Sequence, residues 1–181
     1  MALTDDAHNI IRQHFIDTDK KIAVDATCGN GNDTLFLASL GFKHVIGFDI
    51  QQAAIDSSRD LVNANNYQNI SLILDSHALL AEHIKSNIDC VMFNFGYLPT
   101  GEKSITTECQ SSLIAIKAAC DKLSKGGLIS LMCYPGHPSG KLETESIKAF
   151  LTSLNKQWKV NTHLAVSPKP TAPILFTLEK I

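Results

Sequence analysis

Val24-Asp25-Ala26-Thr27-Cys28-Gly29-Asn30-Gly31-Asn32-Asp33-Thr34 follows a short apolar run and precedes Leu35-Phe36-Leu37-Ala38. The stretch reads as a strand end, a tight turn and the start of a helix. Gly29 and Gly31 can take positive φ and let the backbone approach a ligand where a Cβ would clash. Asp25, at the strand end, can accept hydrogen bonds from the polar or cationic part of a ligand. Asn32 or Asp33 is placed to cap the helix that follows. The turn is not the dinucleotide fingerprint, which needs a third glycine where Thr34 stands.

Working outward, strands alternate with helices. A leading helix is predicted around His8–Phe15, then strands at Lys21–Asp25, His44–Asp49, Ile70–Leu74, Ile88–Asn94 and Leu128–Tyr134. Helices are expected at Thr34–Leu40, Gln51–Asn65, Ala78–Ile84, Thr107–Leu123 and Leu142–Leu154, with Gly41 stopping the first of these and Lys125-Gly126-Gly127 ending the fourth. Ile88–Asn94 is nearly all apolar, as a strand covered on both faces should be. Trp158–Val166 and Ile174–Glu179 close the chain as strands without a helix between them. The pattern calls for an α/β fold with a Rossmann-like, doubly wound, mostly parallel sheet of seven strands, ending in a hairpin with an antiparallel strand. At 181 residues, a single domain over 1–181 is expected.

In such a sheet, ligands bind beyond the carboxyl ends of the strands. Asp25, Asp49, Asp75 and Asn94 end successive strands there. Asp49 is suited to accepting hydrogen bonds from ribose hydroxyls. Asp75, with Ser76 and His77, can accept from an adenine amino group, although an acid at a strand end also often caps the next helix. The D-x-x-x-G-x-G turn is more usual for S-adenosylmethionine, which has no pyrophosphate to seat on a helix N-terminus. Acids at three strand ends beside a glycine turn resemble the class I S-adenosylmethionine-dependent methyltransferases, which share a reversed last strand.

Asn94-Phe95-Gly96-Tyr97-Leu98-Pro99 resembles the N-P-P-Y loop of amino methyltransferases, with Phe95-Gly96 replacing the two prolines. An Asn side-chain oxygen and a backbone carbonyl can accept from an attacking amine and aim its lone pair, while Tyr97 can stack on a planar base. The competing reading is a plain strand exit with Tyr97 packing. The polar segment Gly101–Thr107 suits substrate recognition, and in Tyr134-Pro135-Gly136-His137-Pro138 the histidine is either a base, a phosphate contact or a solvated surface residue.

As a set, Asp25–Ala38, Gly47-Phe48-Asp49-Ile50-Gln51, Phe93–Pro99, Lys103 with Thr106-Thr107, and Tyr134–His137 resemble one small bacterial family over nearly the whole chain. Its members were long labelled rRNA methylases and include tRNA 5-aminomethyl-2-thiouridine methyltransferases. The resemblance implies S-adenosylmethionine as cofactor, held by Asp25, Cys28, Gly29, Asn30, Gly31, Asn32, Asp33, Asp49, Ile50, Gln51, Asp75, Ser76, His77 and Asn94. It implies methylation of the exocyclic amine of a wobble uridine, giving the 5-methylaminomethyl product. Asn94, Tyr97 and His137 are then the catalytic candidates. Tyr97, Lys103, Thr106, Thr107 and His137 are candidates for contacting substrate. The implied partner is the anticodon stem-loop of tRNA, and family members are often dimers.

Composition sets limits. Hydrophobic residues make up 44% and charged residues 19%, which is ordinary for a soluble globular chain. No apolar run approaches membrane-spanning length, and the acidic N-terminus lacks a signal-peptide layout, so a cytoplasmic protein is expected. The five cysteines have no paired spacing and are expected to be reduced, with no metal site. A net charge of −2 argues against a large nucleic-acid footprint. Lys141, Lys156, Lys159, His163 and Lys169 nevertheless gather toward the C-terminal part, and a small footprint with a flipped base needs no more. The alternatives are a methyltransferase of rRNA or of a small amine, a non-catalytic module that binds the same cofactor, and a nicotinamide oxidoreductase. The missing G-x-G-x-x-G disfavours the last.

Overall fold

Successive residues of a strand point to opposite faces, so a sheet sandwiched between helices needs apolar residues at every position. The computed structural model, which describes residues 3–96, 108–165 and 169–181, follows this rule in its central strands, whereas the outermost strand at Trp158–Leu164 is largely exposed. Ala23, Val45, Cys90 and Met92 face one layer, built on Ile11, Phe15, Phe36, Leu37 and Phe42. Their neighbours Val24, Ile46, Val91 and Phe93 face the other, built on Leu80, Ile84, Ala115, Ile116, Ala119, Ile147 and Leu151.

The elements run α1 (Leu3–His14), β1 (Ile22–Asp25), α2 (Asn32–Ser39), β2 (His44–Asp49), α3 (Gln52–Ala64), β3 (Ile70–Leu74), a 3-10 turn (His77–Leu79) and α4 (Leu80–His83). They continue with β4 (Ile88–Asn94), α5 (Cys109–Lys122), β5 (Leu123–Cys133), α6 (Pro138–Thr152), β6 (Trp158–Leu164) and β7 (Ile174–Lys180). The seven strands lie in the order β3-β2-β1-β4-β5-β7-β6. Strands β1 to β5 pair in parallel. β7 inserts between β5 and β6 and is antiparallel to both. This is the expected doubly wound sheet with its reversed last strand. The strand order turns back between β1 and β4, and in such sheets ligands bind at the carboxyl edge of this switch point.

Three local expectations are corrected. Neither Asn32 nor Asp33 caps α2: the N-cap is Gly31, in a left-handed conformation, and no side chain caps the helix. Asp33 instead lies within the first turn, where its carboxylate is engaged elsewhere. Lys125-Gly126-Gly127 does not separate α5 from β5, because β5 already begins at Leu123. A register shift between Ile88 and Cys90 absorbs the extra residues there, and Gly126 takes a φ of 75°. The short element after β3 begins as a 3-10 turn with Ser76 as its N-cap, its hydroxyl accepting from the Ala78 N–H.

Among the described residues no helix is long and apolar enough to cross a membrane, and no His/Cys/Asp/Glu group could hold a metal. Cys28, Cys90, Cys120 and Cys133 are buried, and burial pushes their thiols up, to about 12 for Cys120 and Cys133.

Candidate cofactor and methyl-transfer site

The glycine turn is tied down from three sides. From β4, Ala26 N–H donates to Met92 O at 2.8 Å. From β2, Cys28 N–H donates to Phe48 O at 2.8 Å. From α3, the Ser58 hydroxyl donates to Gly29 O at 3.0 Å. Gly29 and Gly31 have φ of 50° and 84°, so both positions need glycine on backbone grounds. A Cβ at Gly31 would also lie 3.0 Å from Ser58 Cα. Asn30 lies beside α3, where its Oδ1 receives the Ser57 hydroxyl at 3.4 Å.

Asp49, at the end of β2, clamps this turn. Its Oδ2 accepts from Gly29 N–H at 3.0 Å and its Oδ1 from Gln51 N–H at 2.9 Å. Each carboxylate oxygen has two lone pairs, so one on each remains for a ligand. The neighbouring Ile50 is 57% exposed, an apolar surface beside a charged one. Next along the edge, Asp75 accepts from its neighbour Ser76 N–H and from His83 Nε2, both at 2.8 Å. The His83 hydrogen bond, followed by that of Ser76, holds the Asp75 carboxyl below its ordinary range.

His77 turns inward beneath the turn. Its Nδ1 lies 3.2 Å from Ala26 O, and a carbonyl can only accept, so Nδ1 carries the proton. Nε2 of the neutral ring is then a lone pair, buried and without a partner among the described residues. Burial keeps the imidazole below its ordinary pKa and hence neutral.

Asp25 lies under the turn at 1% exposure. Its Oδ2 accepts from the Thr34 hydroxyl at 2.6 Å and its Oδ1 from Thr27 N–H at 3.3 Å. Burial, and next the nearby Asp33 carboxylate, push Asp25 up to about 7, against the pull of Thr34 and Thr27. A carboxyl raised in the folded state holds a proton that the unfolded chain releases. Asp25 therefore costs stability progressively as pH rises from about 4 to about 7. Asp25→Asn removes this titration. The stability of the variant relative to the parent will rise between about pH 5 and about pH 8, measured as urea midpoints at both. A difference independent of pH would show that Asp25 does not titrate there.

Asn94 ends β4 directly opposite the turn. Its N–H donates to the Thr27 hydroxyl at 2.7 Å, and its Nδ2 reaches Asp33 Oδ2 at 3.5 Å. With Nδ2 turned to Asp33, Oδ1 is the face of the amide left for another donor. Phe95 N–H continues to Met132 O at 3.0 Å and packs Phe95 in the core. Sequence reasoning overlooked two neighbours. His8 of α1 lies 2.7 Å from Asp33 Oδ1. Tyr134, whose hydroxyl is held above its ordinary pKa by burial and then by Asp33, follows β5.

His137 is placed differently from a free base. It is the N-cap of α6, and Gly140 N–H donates to its Nδ1 at 3.1 Å. That bond needs the Nδ1 lone pair, so Nε2 carries the hydrogen and is a donor. This corrects the expectation of a general base at His137. Tyr97, Lys103, Thr106 and Thr107 lie outside the described residues. Of the C-terminal basic residues, Lys159 and His163 lie on the outermost strand β6, where Lys159 pairs with Glu179 at 3.5 Å.

The reversed seven-stranded sheet, with a glycine turn and acids at its carboxyl edge, is the class I methyltransferase fold. A solved structure from Clostridium thermocellum, described as a "putative rRNA-methylase", superposes with a TM-score of 0.93 at 35% identity, covering 100% of this chain and 98% of that one. A "putative methyltransferase" from Streptococcus mutans in complex with SAH superposes at 0.85 with 32% identity, covering 96% and 97%. The family model described as "Putative rRNA methylase" matches residues 45–179, and the chain belongs to that family. A "tRNA (mnm(5)s(2)U34)-methyltransferase, chloroplastic" from Arabidopsis thaliana is 37% identical over 170 residues, which cover 87% of this chain and 62% of that protein.

Proposed function

We propose that this chain is an S-adenosylmethionine-dependent N-methyltransferase that acts, in the cytoplasm, on the 5-aminomethyl group of wobble 2-thiouridine in tRNA. The observation that carries the reading is the Asn94 amide, held against the glycine turn through its Nδ2, with its oxygen left without a partner among the described residues. The plant relative's name supports the choice of substrate.

The residues fit the cofactor. The backbone of the Gly29–Gly31 turn receives its amino-acid end, and Cys28, Asn30, Asn32 and Asp33 complete that loop. Asp49 offers lone pairs to the ribose hydroxyls, and Gln51 holds Asp49 in place. Ile50 gives the adenine an apolar wall. Asp75 and Ser76 lie at the edge where an adenine amino group needs an acceptor, and the buried His77 braces the Ala26 carbonyl beneath them. When bound, the cofactor supplies a methyl group on a positively charged sulfur. Asn94 Oδ1 accepts an N–H of the incoming amine and directs the nitrogen lone pair at that carbon. A primary alkylamine is mostly protonated near neutral pH, so it must first release a proton to water to expose that lone pair; the methyl group would then pass from sulfur to nitrogen, leaving a neutral thioether and a methylated ammonium. Positioning dominates such an in-line displacement. Tyr97, Lys103, Thr106 and Thr107 are proposed to hold the nucleotide, and His137 to fix the loop that leads into α6 as its N-cap.

The test is nucleoside mass spectrometry of tRNA carrying 5-aminomethyl-2-thiouridine after incubation with the protein and S-adenosylmethionine. The methylaminomethyl nucleoside is the expected product. No conversion with cofactor binding intact would move the substrate to rRNA or a small amine. Absence of cofactor binding would overturn methyl transfer itself.

A further inference from the structure

The N-terminal helix reaches the transfer site through one side chain. His8 Nε2 meets Asp33 Oδ1 at 2.7 Å, and the other oxygen of the same carboxylate faces Asn94 Nδ2 at 3.5 Å. The His8 ring is fixed by a parallel stack on Phe36, with centroids 3.7 Å apart and planes 3° apart. Arg12, one turn later, lies over the same Phe36 ring at 5.5 Å and bonds Asn9 Oδ1 at 2.9 Å. Both members of the His8–Asp33 pair are largely covered, with side-chain exposures of 26% and 17%.

An Asn side chain has two nearly isosteric orientations, with Oδ1 and Nδ2 exchanged. Only a neighbour that accepts, or one that donates, can select between them. Asp33 is such an acceptor, but a carboxylate without a partner of its own can rotate away or turn to solvent. His8 donates to one of its oxygens and so holds the other toward Asn94.

We propose that His8 is a positioning residue for methyl transfer: acting through Asp33, it fixes the Asn94 amide with its oxygen toward the acceptor amine. The inference rests on the role proposed for Asn94. It explains why a helix that precedes the sheet bears on chemistry at the end of β4, whose register is set independently by β1 and β5.

The test uses His8→Ala, His8→Phe and His8→Gln in the full chain. Phenylalanine keeps the aromatic stack and loses the hydrogen bond, whereas glutamine restores an N–H donor. The first readout is the side-chain amide resonance of Asn94 in protein labelled with 15N-asparagine, assigned by its loss in Asn94→Ala. This resonance will shift in His8→Ala and His8→Phe and return toward its parent position in His8→Gln. The second is kcat, which will fall about tenfold in the first two variants, with cofactor Kd unchanged, and recover in the third. The double variant His8→Ala/Asn94→Ala will be no slower than Asn94→Ala alone. An Asn94 resonance unmoved by His8→Phe, or losses that multiply in the double variant, would overturn the proposal. If the parent protein methylates no amine, the proposed function fails, and the resonance alone decides the role of His8.

Discussion

Asn94→Ala will lower kcat by about 100- to 1000-fold and leave the Kd for S-adenosylmethionine within a factor of about three. The asymmetry follows from which atoms the residue uses. The backbone N–H of Asn94 holds Thr27 and so braces the turn, and alanine retains it. The side chain touches the turn only through the long Nδ2 contact to Asp33, so the cradle survives truncation. What is lost is the amide oxygen, which acts only when an amine is present. Asn94→Asp is the informative companion. It supplies oxygens at the same place, but it sets a second carboxylate against Asp33 and loses the Nδ2 donor. Its turnover will also be low, and lowest where both carboxylates are ionised. Cofactor titration by calorimetry and single-turnover methylation separate the two quantities. Equal losses of kcat and affinity would remove Asn94 from acceptor positioning and return it to the cofactor cradle.

Much of the sheet was legible because its physics is local. β2, β3 and β4 were bounded correctly by apolar runs ending on Asp49, Leu74 and Asn94. β2 and β4, buried on both faces, have little freedom in where they stop, and the edge strand β3 is marked by its own apolar run. The glycine turn was legible for the same reason, since a left-handed backbone at Gly29 and Gly31 leaves its mark in residue type. The illegible features are those decided by distant partners. Asp33 resembles a helix cap, yet His8 lies 25 positions earlier and draws its carboxylate away. His137 resembles a free base, and Pro138 at the next position was in fact the signal that it starts a helix, because proline favours the first helical turn. Lys125-Gly126-Gly127 resembles a helix stop, but pairing of Leu123 with Ile88 extends the strand through it. His8 itself, in an amphipathic leading helix, carried no local mark of a role at the site.

Asp49→Ala will weaken S-adenosylmethionine binding by about 30- to 100-fold and leave kcat at saturating cofactor within about threefold of the parent. Two losses combine. The lone pairs proposed for the ribose hydroxyls disappear, and hydrogen bonds to a charged acceptor are among the stronger ones. The glycine turn also loses a tether to the segment after β2, because Gly29 N–H and Gln51 N–H both end on this carboxylate. Asp49→Asn discriminates between the two. Its Oδ1 can still accept from one of these N–H groups, but its Nδ2 presents a donor to the other and cannot accept from a hydroxyl. If the clamp on the turn is the main contribution, the asparagine variant will recover part of the affinity. If the ribose contact dominates, it will bind as weakly as alanine. Calorimetric titration of S-adenosylmethionine and of adenosine against all three proteins separates these cases, since adenosine retains the ribose and lacks the amino-acid end that the glycine turn receives. A Kd for Asp49→Ala within about threefold of the parent would take the ribose away from the end of β2, and with it the assignment of this edge to the cofactor.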